Sequence, residues 1–172
     1  IQTSWVLSTT LRFGWTPLQN GFSLFLVGVS SVVMQGLLLG PYINRVGDAG
    51  AVTIGLASSA LTLLCYAVAP QGWMMYVLII CNLLAFGTGP ALQAYFSRAV
   101  DARSQGVAMG SLSSLASLMS VAATLAGTSL LAQVSHFPAG SIWLGAPFFL
   151  ASAMQIAALL LARHTLRRLK SA

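Results

Sequence analysis

Apolar residues run along this chain in blocks too long and too uniform to be one face of a soluble helix. No residue in 49–97 carries a formal charge, and none in 104–162 does. An apolar helix needs about 20 residues to cross the hydrocarbon layer of a bilayer, so each block reads as two spans. Gly, Pro and charged residues punctuate the rest. They predict a partial segment at about 1–11, full segments at 21–40, 51–69, 74–96, 106–134 and 142–162, and a basic tail at 163–172. The segments are twice the length of barrel strands and do not alternate apolar with polar residues. In lipid that leaves the helix as the way to satisfy the backbone. The first segment is too short to span and is expected to be the remnant of a helix cut through its middle.

Charge sharpens this topology. The boundary Arg12-Phe13-Gly14-Trp15-Thr16-Pro17 is aromatic-rich, as at the headgroup level. In this parse Arg45, Arg98, Arg103, Arg163, Arg167, Arg168 and Lys170 fall on one side of the membrane, and Arg12 alone falls on the other. That asymmetry predicts a cytoplasmic tail. The composition, 57% hydrophobic and 6% charged with a net charge of +6, leaves no room for a separate soluble domain. The basic residues sit in short connections rather than on one soluble face, so nucleic acid is not an expected partner. Nothing at the start resembles a cleaved signal.

The chemistry-bearing residues are few. Cys65 and Cys81 match no metal spacing and read as small packing residues. His136 and His164 lack companions at ligand spacing. No Ser stands with a His as a nucleophile pair. No enzyme activity, metal or cofactor is therefore expected. No Asp, Glu, Lys or Arg lies deep within a complete span, where proton relays and ion sites are usually marked. Any coupling carboxylate is expected outside this chain.

Uncharged polar residues do recur at helical spacing. Asn82, Phe86, Gly89 and Gln93 would share one face of the fourth segment, and Leu24, Gly28, Ser31 and Gln35 one face of the second. Gly110, Ser114, Ser117, Thr124 and Thr128 would line the fifth. Amides and hydroxyls beside an aromatic ring suit an amphipathic ligand in a mostly apolar cavity, but the same residue types also glue membrane helices together. Gly36-Leu37-Leu38-Leu39-Gly40 and Gly106-Val107-Ala108-Met109-Gly110 predict close backbone packing. Pro90 after Gly87-Thr88-Gly89 predicts a kink.

The turn Gly40-Pro41-Tyr42-Ile43-Asn44-Arg45-Val46-Gly47 resembles the loop signature of the major facilitator superfamily, G-x-x-x-D-R-x-G. Trp5-Val6-Leu7, Arg12-Phe13-Gly14-Trp15 and Gly21-Phe22-Ser23-Leu24 resemble the opening of the C-terminal half of tetracycline-resistance efflux proteins. Pro90-Ala91-Leu92-Gln93-Ala94 with Ser97, Gln105-Gly106 and Gly110-Ser111-Leu112 continue the resemblance in order. It implies an all-helical membrane fold: the C-terminal six-helix bundle of a twelve-helix transporter, with helix seven truncated. It further implies a drug/proton antiporter of the bacterial inner membrane. Its partners would be a missing N-terminal six-helix half, an amphipathic small molecule, protons and lipid.

In that family helices seven, eight, ten and eleven border the central cavity, while nine and twelve pack outside. The resemblance thus assigns the cavity to Gln35, Ser31, Asn82, Phe86, Gln93, Ser114 and Ser117, and the cytoplasmic gate to Gly40, Asn44, Arg45 and Gly47. Four departures bear on the substrate rather than the fold. Asn44 replaces Asp, Asp48-Ala49 replaces a basic pair, Thr10 stands at an acidic position, and Ala123-Thr124 replaces Gly-Pro. Two other classes stay open: an importer of a small metabolite or sugar, and a non-transporting membrane component that binds lipid or a partner.

Overall fold

The computed structural model describes the backbone of residues 2–101, 103–138 and 141–171, and the side chains of these apart from 2–4, 99 and 166–171. The basic side chains Arg167, Arg168 and Lys170 therefore lie outside the described residues. Among the described residues seven α-helices follow one another: α1 (Gln2–Phe13), α2 (Pro17–Val33), α3 (Leu39–Val68), α4 (Gly72–Cys81), α5 (Thr88–Ala99), α6 (Gln105–Val134) and α7 (Ala146–Ser171). No strand occurs among the described residues.

Local chemistry sets the breaks. Gly14 closes α1 at a φ of 65°, and its amide donates to the Thr10 carbonyl at 3.0 Å. This is the left-handed glycine stop of many helices. Thr16 then caps α2. Its hydroxyl accepts from the Gln19 amide, the Gln19 side chain accepts from the Thr16 amide at 2.9 Å, and Pro17 supplies the first helical residue.

The expected turn over residues 40–48 is much tighter. Helical backbone continues through a π-turn, Met34–Leu38, into α3, and the only non-helical residue within α3 is Gly47, at φ 73° and ψ 165°. Pro41 stands three residues beyond the π-turn, so the carbonyl four residues before it is that of Leu37, inside the turn. A proline ring crowds the carbonyl four residues back and offers it no N–H, so the widened turn falls where a regular helix would be strained. Segments 21–40 and 51–69 thus lie in one apolar run, Pro17–Val68, divided at Gly47. Gln105–Val134 and Ile142–Thr165 are also long and apolar enough to cross a bilayer. Gly72–Cys81 with Leu83–Arg98, bent by 51°, forms a further broken span.

The core is aromatic at the end of the bundle near Arg12. Trp5, Trp15, Tyr66, Met75, Ile79 and Phe148 are buried together. Trp5 meets Tyr66 edge-on at 5.0 Å, and Trp15 stacks on Tyr76 at 4.7 Å. Arg12 is only 5% exposed, and its Nη1 donates to the Tyr66 carbonyl at 2.8 Å.

Along the rest of the bundle α3 packs mainly on α7 and α5. The Ser152 hydroxyl donates to the Ala60 carbonyl at 2.8 Å, and Gln155 Nε2 donates to Ser59 at 3.3 Å. Gly145 lies so close to the Ala67 backbone that a Cβ would collide with it, and Gly55 meets Thr88 in the same way. The glycines expected to make such contacts do not. Gly36, Gly40, Gly106 and Gly110 have nothing near the place of a Cβ, because they face outward from this chain.

Candidate functional site

The fourth segment departs from the continuous helix that its polar face assumed. α4 ends at Cys81, Asn82 turns the chain, and Leu83–Gly87 winds as a 3₁₀ helix before α5 begins at Thr88. Pro90 therefore sits in the first turn of α5, where its missing N–H has no intrahelical role. The break lies upstream of it. Asn82, Phe86 and Gln93 stand on three differently wound pieces, so i, i+4, i+11 spacing does not by itself align them.

Each sequence candidate has a definite place. Gln35, in the π-turn, is exposed and donates through Nε2 to the Ser31 hydroxyl at 2.6 Å. Asn82 is half-buried, and its Oδ1 accepts a long 3.5 Å bond from Ser58. Phe86 is half-buried on the 3₁₀ turn, and Gln93 is exposed on α5. Ser114 and Ser117 are exposed on α6, the Ser117 hydroxyl donating to its own helix at the Ser113 carbonyl, 2.9 Å away. Gly40, Asn44, Arg45 and Gly47 are exposed along the first part of α3.

The structure joins Gln35 to Ser31, and it groups Arg45 with Met34, Pro41, Tyr42 and Leu84 around a hollow of about 210 Å³. No described hydrogen bond links Gln35, Phe86, Gln93 and Ser114 to one another. Apart from the half-buried Phe86, these residues share a lack of cover. Leu24 and Gly28 on α2, Gln35 in the π-turn, Gln93 on α5, and most of α6 are open. Leu131 is the one buried residue of α6 among those described.

The two irregular turns face each other. Met34 is fully buried, and a Cβ on Gly87 would stand 2.6 Å from its Cε. The π-turn of one span thus seats its methionine in the glycine notch of the 3₁₀ turn in another.

Sequence reasoning missed two polar arrangements. The first ties α1 to α2. Trp5 Nε1 donates to the Ser23 hydroxyl at 3.0 Å, the Thr9 hydroxyl to Asn20 Oδ1 at 2.6 Å, and Asn20 Nδ2 to Thr10 at 3.2 Å. Trp5, Ser8, Thr9 and Arg12 have i, i+3, i+4, i+7 spacing, a helical signal that the shortness of the first segment masks. The second is the ion pair of Arg98 Nη1 with Asp48 Oδ2 at 2.6 Å. It bridges the residue just after Gly47 to the end of α5. Tyr42, nearby in sequence, buries its hydroxyl without a partner.

Long uncharged helices with polar groups inside the bundle and apolar side chains outside define a multi-pass membrane protein. No protein-family profile matches the chain, and no solved structure does. Among curated proteins it is 36% identical over 148 residues to a class C tetracycline resistance protein of Escherichia coli, over 85% of this chain and 37% of that protein. It is 34% identical over 141 residues to the class G protein of Vibrio anguillarum, over 81% of this chain and 36% of that one. A human protein, hippocampus abundant transcript 1 protein, is 26% identical over 171 residues, 84% of this chain and 35% of its own length. These similarities agree with the resemblance to the C-terminal half of major facilitator efflux proteins that the sequence motifs carry. The chain spans little more than a third of the length of the curated relatives it matches.

Proposed function

We propose that this chain is the C-terminal helical half of a secondary transporter that exports amphipathic drugs by alternating access, coupled to protons, in the bacterial inner membrane. The observation that carries this reading is the similarity to tetracycline resistance proteins over more than four-fifths of the chain. The exposure of Gln35, Gln93, Ser114 and Ser117 supports it, because these bear amides and hydroxyls assigned to a cavity. An N-terminal half would close against them, with substrate held near the bilayer midplane and the two halves rocking around it.

In this reading Gln35 and Gln93 hydrogen-bond the substrate, Phe86 stacks on it, and Ser31, Asn82, Ser114 and Ser117 line the walls. Gly40, Asn44, Arg45 and Gly47 form the cytoplasmic gate, with the C-terminus on the same side. The protons move through carboxylates of the other half, since Asp48, beside the break at Gly47, and Asp101, between α5 and α6, are the only acidic residues here. The reading involves no catalysis of a chemical step.

The test is drug efflux from cells carrying the protein at its natural length. Gln93→Ala should cut export severalfold while membrane insertion stays at the wild-type level. Unchanged export across a panel of amphipathic drugs would remove Gln93 from the site.

A further inference from the structure

Two irregular turns from different spans meet through one side chain. Met34, the first residue of the π-turn, is fully buried in the notch at Gly87, the last residue of the 3₁₀ turn. We propose that the two turns form a coupled hinge with a second state. In that state the last turn before α5 winds as α-helix, the Thr88 hydroxyl donates to the Leu84 carbonyl, and the Met34 side chain moves into a hollow beside it.

Thr88 provides the first ground. Its hydroxyl is buried and has no hydrogen-bond partner among the described residues. Elsewhere in the long helices threonine hydroxyls donate to the carbonyl four residues back: Thr53 to Ala49, Thr124 to Ser120 and Thr165 to Leu161, at 2.8, 2.9 and 3.0 Å. For Thr88 that carbonyl belongs to Leu84, inside the 3₁₀ turn. A 3₁₀ turn aligns the carbonyl three residues back instead, and the Thr88 amide accordingly donates to Ala85. The hydroxyl is left against Gly55 of α3, where a Cβ would collide with it. Rewinding this turn would satisfy a donor that now lacks an acceptor. Pro90 opposes the change, because in continuous α-helix its ring crowds the Phe86 carbonyl. Each state therefore carries one defect, which keeps both within reach.

Met34 provides the coupling. A 3₁₀ turn advances about 120° per residue and an α-helix about 100°, so rewinding swings Gly87 around the helix axis and takes the notch away from Met34. The unbranched thioether chain adapts readily, and it has a place to go. A hollow of about 210 Å³ borders Met34 and is lined by Leu38, Pro41, Tyr42 and Leu84 as well. Leu38 closes the π-turn and Leu84 belongs to the 3₁₀ turn, so the space lies between the same two elements. The span that holds the 3₁₀ turn is already bent by 51°, and its winding there sets the direction in which α5 carries Gln93 and Arg98.

Pulsed electron spin resonance on the protein at its natural length tests this. Cys65 and Cys81 are replaced by Ser, and spin labels are placed at Trp73→Cys on α4 and Phe96→Cys on α5, both exposed positions. Two label distances are expected. Thr88→Val should lower the share of the second about 5-fold, the worth of one hydrogen bond, and Thr88→Ser should restore it. Gly87→Ala should raise that share severalfold, because its Cβ displaces Met34, and most of the rise should vanish in the Met34→Ala background. A single distance that neither Thr88→Val nor Gly87→Ala moves would overturn the hinge. An equal rise with and without the Met34 side chain would overturn the coupling. The distances are read without drug or gradient, so they leave the transport reading untouched.

Discussion

At the residue scale the decisive groups are small and polar rather than charged. Thr9 is fully buried, and its hydroxyl serves Asn20 across the α1–α2 interface. Interhelical hydrogen bonds inside membranes contribute about 0.6 kcal/mol on average and up to about 1.7. Thr9→Val should therefore destabilise the bundle by about 1 kcal/mol in a detergent-denaturation titration, and a silent substitution would show that Asn20 re-pairs with Thr10 or Thr16. The close glycines make a sharper comparison. A Cβ at Gly145 meets the backbone of Ala67, which cannot rotate away, whereas one at Gly87 meets the flexible end of Met34. Gly145→Ala should cost about 1–3 kcal/mol and Gly87→Ala clearly less. The reverse order in the same titration would contradict this packing. The Asp48–Arg98 pair, with one partner mostly in solvent, contributes at most about 1 kcal/mol.

At the element scale the spans are interrupted helices. Gly47 sits at φ 73° and ψ 165°, a region essentially reserved for glycine. It breaks the helix without a loop. Gly47→Ala meets no neighbouring atom, so its cost is backbone strain alone, about 1–3 kcal/mol. Circular dichroism should show unchanged helix content with a lowered unfolding midpoint; an unaltered midpoint would mean the chain turns by another route. The facing π-turn and 3₁₀ turn are where two spans can flex together, and Met34 in the Gly87 notch is the contact that would have to slide. The polar stripe drawn through Asn82, Phe86 and Gln93 was legible only in part. The residues were visible, and Gly87 and Pro90 predicted a kink in this span, but helical spacing could not show that the break begins at Asn82 and that the chain winds as a 3₁₀ turn from Leu83 to Gly87.

At the scale of the whole molecule the most informative surface is the uncovered one. Exposed Leu, Val, Phe and Ile line the outside of every long helix, far more than a soluble monomer tolerates. Lipid accounts for part of this, and the proposed second half for the polar faces of α2, α5 and α6. The isolated 172-residue chain should accordingly insert into liposomes yet move no drug, since half of the pathway wall is missing. Drug accumulation driven by a proton gradient with this chain alone would refute the half-transporter reading.

The residue pattern by itself determined that the chain is helical and lives in a membrane, because spans of uncharged residues leave few other ways to satisfy the backbone in lipid. It also carried the family resemblance, since ordered motifs survive where packing details do not. Only the tertiary structure decided which glycines touch a neighbour, where the fourth span breaks, that Asp48 pairs with Arg98, and that the short first helix is fastened through Trp5, Thr9 and Arg12. Those outcomes depend on distances between residues remote in the chain. A periodicity reports which side chains share a face, but not what, if anything, stands opposite that face.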